Sequence, residues 1–179
     1  MLHRLFAAIP VPGTIADPLS DLQDGLAGAS WRPIENFHVT LRFFGELDSL
    51  TAKEIDFELG EIDAPQMELS IEGMGWFGRR QPHTLFARIS PDPELRRLAG
   101  ACERAARRLG LSKEQRAYTP HITLAYLHNT PLLDTMAWCD THGAYRDGPF
   151  WADRYHLYES HPTKGATRYE PRADYPLGS

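Results

Sequence analysis

The sequence predicts an α+β fold, and three observations carry that prediction. Strand-like apolar runs alternate with helix-period segments, a hairpin signal separates two of the runs, and one strand–turn–helix–strand succession occurs twice. The first strand-like run covers 2–9 and ends at Pro10. Ile15, Leu19, Leu22 and Leu26 then share one helix face, and Pro18 sets the expected start of the regular part near Asp17. After a strand at 37–44, Ala52, Ile55, Leu59 and Ile62 recur at helical spacing behind Asp48 and Ser49, both suited to cap a helix. Strands at 67–73 and 84–90 flank the hairpin signal at 75–82. The clearest helix spans 93–109: Asp92 caps it, Pro93 fits the first turn, and Gly110 stops it. Its apolar stripe is Leu95, Leu98, Ala99, Cys102, Ala106 and Leu109. A strand at 121–127, a helix from Thr130-Pro131 to near Gly143, and a strand at 154–159 complete the order.

Length and composition narrow the function classes. With 179 residues and 42% hydrophobic content, the chain is expected to form a single domain over 1–179. No apolar run reaches the ~18 residues needed to cross a bilayer. The N-terminal segment lacks a cleavage-site pattern, so a cytoplasmic protein without membrane attachment is expected. Two cysteines, Cys102 and Cys139, do not make a disulfide framework, and neither has zinc-site spacing. Cys102, on the helix stripe, is expected to be a buried thiol. A net charge of −5 argues against broad binding along a nucleic-acid backbone, while leaving room for a small basic cleft that holds one phosphate. Of the basic clusters, Arg79-Arg80 falls in a loop. Arg104, Arg107 and Arg108 lie near a helix C-terminus, where cations complement the dipole and face water.

The repeated succession opens each time on an H-x-T-L strand: His38-Val39-Thr40-Leu41 and His121-Ile122-Thr123-Leu124. Side chains alternate across a strand, so each motif buries its second and fourth residues and presents imidazole and hydroxyl on the other face. Two such strands imply two similar lobes about a pseudo-two-fold axis, with a cleft between them. Chance predicts only about 0.06 H-x-T-L matches at this composition, so a pair is informative. The remaining histidines, His3, His83, His128, His142, His156 and His161, lie outside such motifs and read as surface or loop residues.

The chemistry this set suits is in-line displacement at phosphorus. One neutral histidine takes a proton from the attacking oxygen, and the other, protonated, gives one to the leaving oxygen. Thr40 and Thr123 donate to the non-bridging oxygens as charge develops. The sequence leaves open which histidine is the base. It offers no H-E-x-x-H, H-x-H or clustered aspartates, so no metal is expected.

These residues resemble the 2H phosphoesterases, and within them the RNA 2′,3′-cyclic phosphodiesterases, also called 2′-5′ RNA ligases. Arg4-Leu5-Phe6-Ala7-Ala8-Ile9-Pro10 is similar to the family's opening strand. The first motif is matched by residues 36–45, with Phe44 where Leu is more usual, and the second by residues 116–125. Leu157-Tyr158-Glu159-Ser160, followed by Gly165 and Tyr169, resembles the closing strand and hairpin. The resemblance implies two antiparallel sheets enclosing a cleft, with helices outside. It also implies hydrolysis of RNA 2′,3′-cyclic phosphate ends to 2′-phosphates, with possible 2′-5′ joining, by a cofactor-free monomer. Its partners would be RNA ends or nucleoside 2′,3′-cyclic phosphates. By that resemblance His38 and His121 are catalytic, and Thr40 and Thr123 bind phosphate. Two alternatives stand beside it: a 2H enzyme for 2′-5′ oligonucleotides or ADP-ribose cyclic phosphate, and a non-catalytic binder of RNA ends.

One departure bears on substrate binding. The family often has Arg five residues after the second histidine, where this chain has Tyr126, which offers a single neutral hydrogen bond. Arg42 is a candidate replacement, on the same face as His38 and Thr40 if the strand stays regular. Arg116, before the second motif, is the other and could hold a neighbouring nucleotide phosphate.

Overall fold

A computed structural model describes residues 1–178 of the chain. Its elements run β1 (Leu2–Pro10), α1 (Gly13–Ser20), β2 (Ala29–Trp31), β3 (His38–Asp48), α2 (Ser49–Gly60), β4 (Met67–Phe77) and β5 (Thr84–Ile89). They continue with α3 (Pro93–Arg108), β6 (His121–Leu127), α4 (Leu132–Thr141), β7 (Arg146–Ala152), β8 (Arg154–His161) and β9 (Arg168–Pro176). The class is α+β, with every strand pairing antiparallel to its neighbours.

Two groups of four strands form, β7-β4-β5-β6 and β3-β1-β8-β9. The two groups join into one continuous sheet, because Val39 on β3 pairs with Ile122 on β6. Beyond that pair β3 and β6 part, and the short β2 takes over the edge of β6 at 125–127. The helices cover the outer faces, α2 and α3 over the β3 group and α1 and α4 over the β4–β7 side. Val39, Leu41, Ile122 and Leu124 are all buried beneath them. At the junction the Tyr118 hydroxyl donates to the Thr40 carbonyl at 2.8 Å, a second tie between the groups.

Capping follows the sequence: Asp48 accepts from the Thr51 N–H at 2.8 Å and Asp92 from the Leu95 N–H at 2.9 Å. The first helix departs from it, running 13–20 with Pro18 inside, where a start near Asp17 was expected. Burial of Ile15, Ala16 and Leu19 outweighs the one hydrogen bond Pro18 cannot donate, and Leu22 falls beyond the helix. Strands β2 and β7 were not apparent in the sequence, and β9 was expected only through the resemblance to a closing hairpin. The first has three residues, β7 contains Gly148-Pro149, and β9 is an edge strand rich in exposed polar residues. No helix of the described residues is long and apolar enough to cross a membrane.

Candidate active site

The antiparallel Val39–Ile122 pair fixes how the two motifs meet. Counting outward from it, His38 lies level with Thr123 and Thr40 level with His121, so each imidazole stands across from the other strand's hydroxyl. The cavities agree. One, of about 220 Å³, is lined by His38, Thr40 and Thr123. The other, of about 800 Å³, is lined by His121 and the same two threonines. Thr40, Phe43, Thr123 and Tyr126 belong to both, so the cavities are two ends of one cleft.

A shared irregularity shapes the cleft walls. On β1, Ala8 pairs with Thr40 but Ala7 with Arg42, leaving Leu41 as an extra residue in β3. On β5, Phe86 pairs with Thr123 but Leu85 with Ala125, leaving Leu124 as the extra residue in β6. Both are β-bulges at the fourth residue of H-x-T-L, and each shifts the alternation by one. The residue five places after each histidine therefore enters the cleft: Phe43 on one side, Tyr126 on the other.

The bulge also corrects the expectation for Arg42. Alternation breaks at Leu41, so Arg42 leaves the face of His38 and Thr40, although it still lines the larger cavity. It is buried, donating to the Glu103 carboxylate of α3, to the Phe43 carbonyl and, at 2.6 Å, to the Ser112 carbonyl. Its charge is matched by Glu103, whose carboxyl it helps hold below the ordinary range. Arg116 is exposed on the rim of the larger cavity, close enough for its charge to act on His121. The hydroxyl neighbourhood of Tyr126 includes Tyr169.

Both histidines are held alike. The His38 Nδ1–H donates to the Asn36 carbonyl at 2.7 Å, and the His121 Nδ1–H to the Thr119 carbonyl at 2.6 Å. A carbonyl only accepts, so each Nδ1 keeps its proton and the lone pair of the neutral ring sits on Nε2. Burial lowers His38 to about 4; its bond to Asn36 opposes this, and the nearby His121 adds to it. Burial lowers His121 as well, with the Thr119 bond opposing and the Arg116 cation assisting. In the empty cleft both imidazoles are neutral near pH 7.

Several cleft residues were not expected at the site, although Phe6 and Tyr169 stood in segments that carried the family resemblance. Aromatic rings enclose His38, with Phe6 at 4.9 Å and Tyr169 at 5.3 Å between centroids. Phe77 at 4.9 Å and Phe86 at 5.1 Å flank His121. Arg4 and Arg32 line the smaller cavity, and Arg96, Arg107 and Lys113 the larger. Only the tertiary fold assembles these, from five elements and two connecting segments, although three of the arginines, Arg4, Arg96 and Arg107, stood in segments already singled out. Of the other histidines, His83 lines the larger cavity, and His3 and His156 are half-buried on strands. Among the described residues no group of three or more His, Cys, Asp or Glu side chains is placed to hold a metal.

Comparison with known proteins places this geometry. The family model described as the 2′-5′ RNA ligase superfamily matches residues 12–164. An RNA 2′,3′-cyclic phosphodiesterase of Aeropyrum pernix is 34% identical over 124 residues, 64% of this chain and 70% of the relative. One of Escherichia coli, with the same name, is 28% identical over 180 residues, 94% of this chain and 93% of the relative. The crystal structure of E. coli LigT complexed with 3′-AMP superposes with a TM-score of 0.80 at 24% identity, covering 100% of both chains, and so has the same fold. With two bulged H-x-T-L strands at one cleft and a family match across most of its length, the chain belongs to the 2′-5′ RNA ligase superfamily.

Proposed function

We propose that the chain hydrolyses 2′,3′-cyclic phosphate ends of RNA to 2′-phosphomonoesters, without a metal or cofactor. The observation that carries this reading is the matched pair of imidazoles, each tied at Nδ1 and free at Nε2, around two shared threonines. One neutral Nε2 removes a proton from water as the water oxygen bonds to phosphorus. The P–O3′ bond breaks on the opposite side, and the other histidine, as imidazolium, protonates O3′. One histidine ends protonated and the other neutral, so proton exchange with solvent resets the pair. Burial keeps both neutral in the empty cleft, so the phosphodiester's negative charge is what raises the acid's affinity for its proton. The Thr40 and Thr123 hydroxyls donate to the non-bridging oxygens. An RNA 5′-hydroxyl in place of water would give a 2′-5′ linkage by the same displacement.

The larger cavity supports RNA ends over free nucleotides as the substrate. Arg96, Arg107, Lys113 and Arg116 line it, and none is paired to a carboxylate among the described residues. They offer seats for phosphates upstream of the terminal one. The relatives named RNA 2′,3′-cyclic phosphodiesterase support the same substrate. The chain would act as a monomer in the cytoplasm, where buried Cys102 and Cys139 stay as thiols.

The test is turnover of an RNA oligonucleotide ending in a 2′,3′-cyclic phosphate, in excess EDTA, with the product isomer read by phosphorus NMR. A 2′-phosphomonoester formed at the metal-replete rate is expected. A 3′-phosphate, or activity that chelation abolishes and a divalent cation restores, would sink the reading.

A further inference from the structure

The cleft has a cation in an unexpected place. Arg32 follows β2, and its backbone is fixed at both polar groups. Its N–H donates to the Leu124 carbonyl at 2.8 Å, and its carbonyl accepts from Gln23 Nε2 at 2.9 Å. The same Gln23 nitrogen reaches the Leu124 carbonyl at 3.0 Å, so the arginine is anchored beside the bulge of β6. From there its guanidinium lies over the Tyr126 ring, 5.0 Å from the centroid. Its Nε is closed off from solvent and has no hydrogen-bond partner among the described residues. That nitrogen lies out of a ligand's reach, but the guanidinium enters no salt bridge among the described residues, which leaves its terminal nitrogens for a ligand in the cavity.

What it faces identifies that ligand. Arg32 lines the smaller cavity with His38, Thr40, Thr123 and Arg4, and no carboxylate lines that cavity among the described residues. Arg4 is stacked over Phe43 at 4.9 Å, as Arg32 is over Tyr126. Two arginines placed over the two bulge-presented rings, beside a histidine and two hydroxyls, make a seat for a tetrahedral oxyanion. The larger cavity differs, since Glu103 and Glu114 line it along with its cations.

We infer that Arg32 binds the non-bridging oxygens of the scissile phosphate, doing from just after β2 what a cation at position 126 of β6 would otherwise do. Tyr126 is then the platform that orients the guanidinium, and its missing charge is replaced by its neighbour. This rests on the proposed phosphodiester chemistry for its substrate, but the phosphate seat itself is testable without turnover.

Two measurements decide it. The first is kcat/KM for a nucleoside 2′,3′-cyclic phosphate in Arg32→Met, which keeps an apolar stem on the ring, in Tyr126→Arg, and in the double variant. Arg32→Met should lose at least about 30-fold, mostly in kcat, and the double variant should recover at least about tenfold of that loss. Arg32→Met within about threefold of wild type, or a double variant no better than Arg32→Met, overturns the inference. The second is the rise in thermal unfolding midpoint with added inorganic phosphate. Wild type should show it and Arg32→Met should not; equal protection of both overturns the inference. A wild type that phosphate protects through Arg32 but that turns over no cyclic phosphate leaves the seat standing and removes the proposed reaction instead.

Discussion

The two ends of the cleft are built from the same four-residue motif with the same bulge, yet they differ in everything around it. The His38 end is small and free of carboxylates, walled by Phe6, Phe43 and Tyr169 with two ring-stacked arginines. The His121 end is broad, with exposed cations and two glutamates on its rim. The motif supplies a pair of imidazoles that is close to symmetric, and the surroundings break that symmetry. One end suits a single phosphate held tightly, the other a polyanion held loosely.

Removing either histidine is the hardest blow to this picture. His38→Ala and His121→Ala should each lower turnover of a 2′,3′-cyclic phosphate by at least ~10², with folding retained because both rings face the cleft. If one variant keeps near wild-type turnover, the two ends are not partners in one reaction and the comparison collapses.

The pH dependence should be nearly as large. Catalysis needs one imidazole neutral and the other protonated, and burial lowers both below the ordinary histidine value of 6.5. Above the higher of the two values the protonated fraction shrinks, so kcat/KM should fall toward about tenfold per pH unit between about pH 7 and 9. In kcat the fall should come later, because bound phosphodiester stabilises the imidazolium. A kcat/KM that holds level or rises across this range would mean that the reaction needs no imidazolium acid.

The smallest effect is the one that separates the two ends. Arg107→Ala and Lys113→Ala should raise KM roughly 2- to 10-fold for an oligonucleotide with a 2′,3′-cyclic end, and the difference should fade with added salt. For a mononucleotide they should change little. An equal effect on both substrates would show that the broad end does not hold the upstream chain.

How much of this the sequence disclosed depends on the range of the interaction involved. His38, Thr40, His121 and Thr123 were legible because a period-two pattern puts imidazole and hydroxyl on one face, and that face is local information. Asp48 and Asp92 were legible as caps for the same reason. Arg42 was misplaced because a bulge at a leucine leaves no mark in the one-dimensional pattern, and alternation carried one residue too far gives the wrong face. Arg32 was missed because a three-residue strand has no period to detect, and its importance lies in Tyr126, far along the chain. The aromatic wall around His38 comes from β1, β8 and β9, an assembly no local pattern encodes.

The bulged leucines have a consequence for redesign. Because Leu41 and Leu124 each shift their strand by one step while remaining in the core, positions 43 and 126 form a matched pair of adjustable points on an otherwise fixed frame. Neither side chain contributes to the interior packing, and both are exposed to the cleft. Descendants of one ancestral frame could therefore trade ring for guanidinium at either point and retune which ends they accept, with the core beneath left as it was.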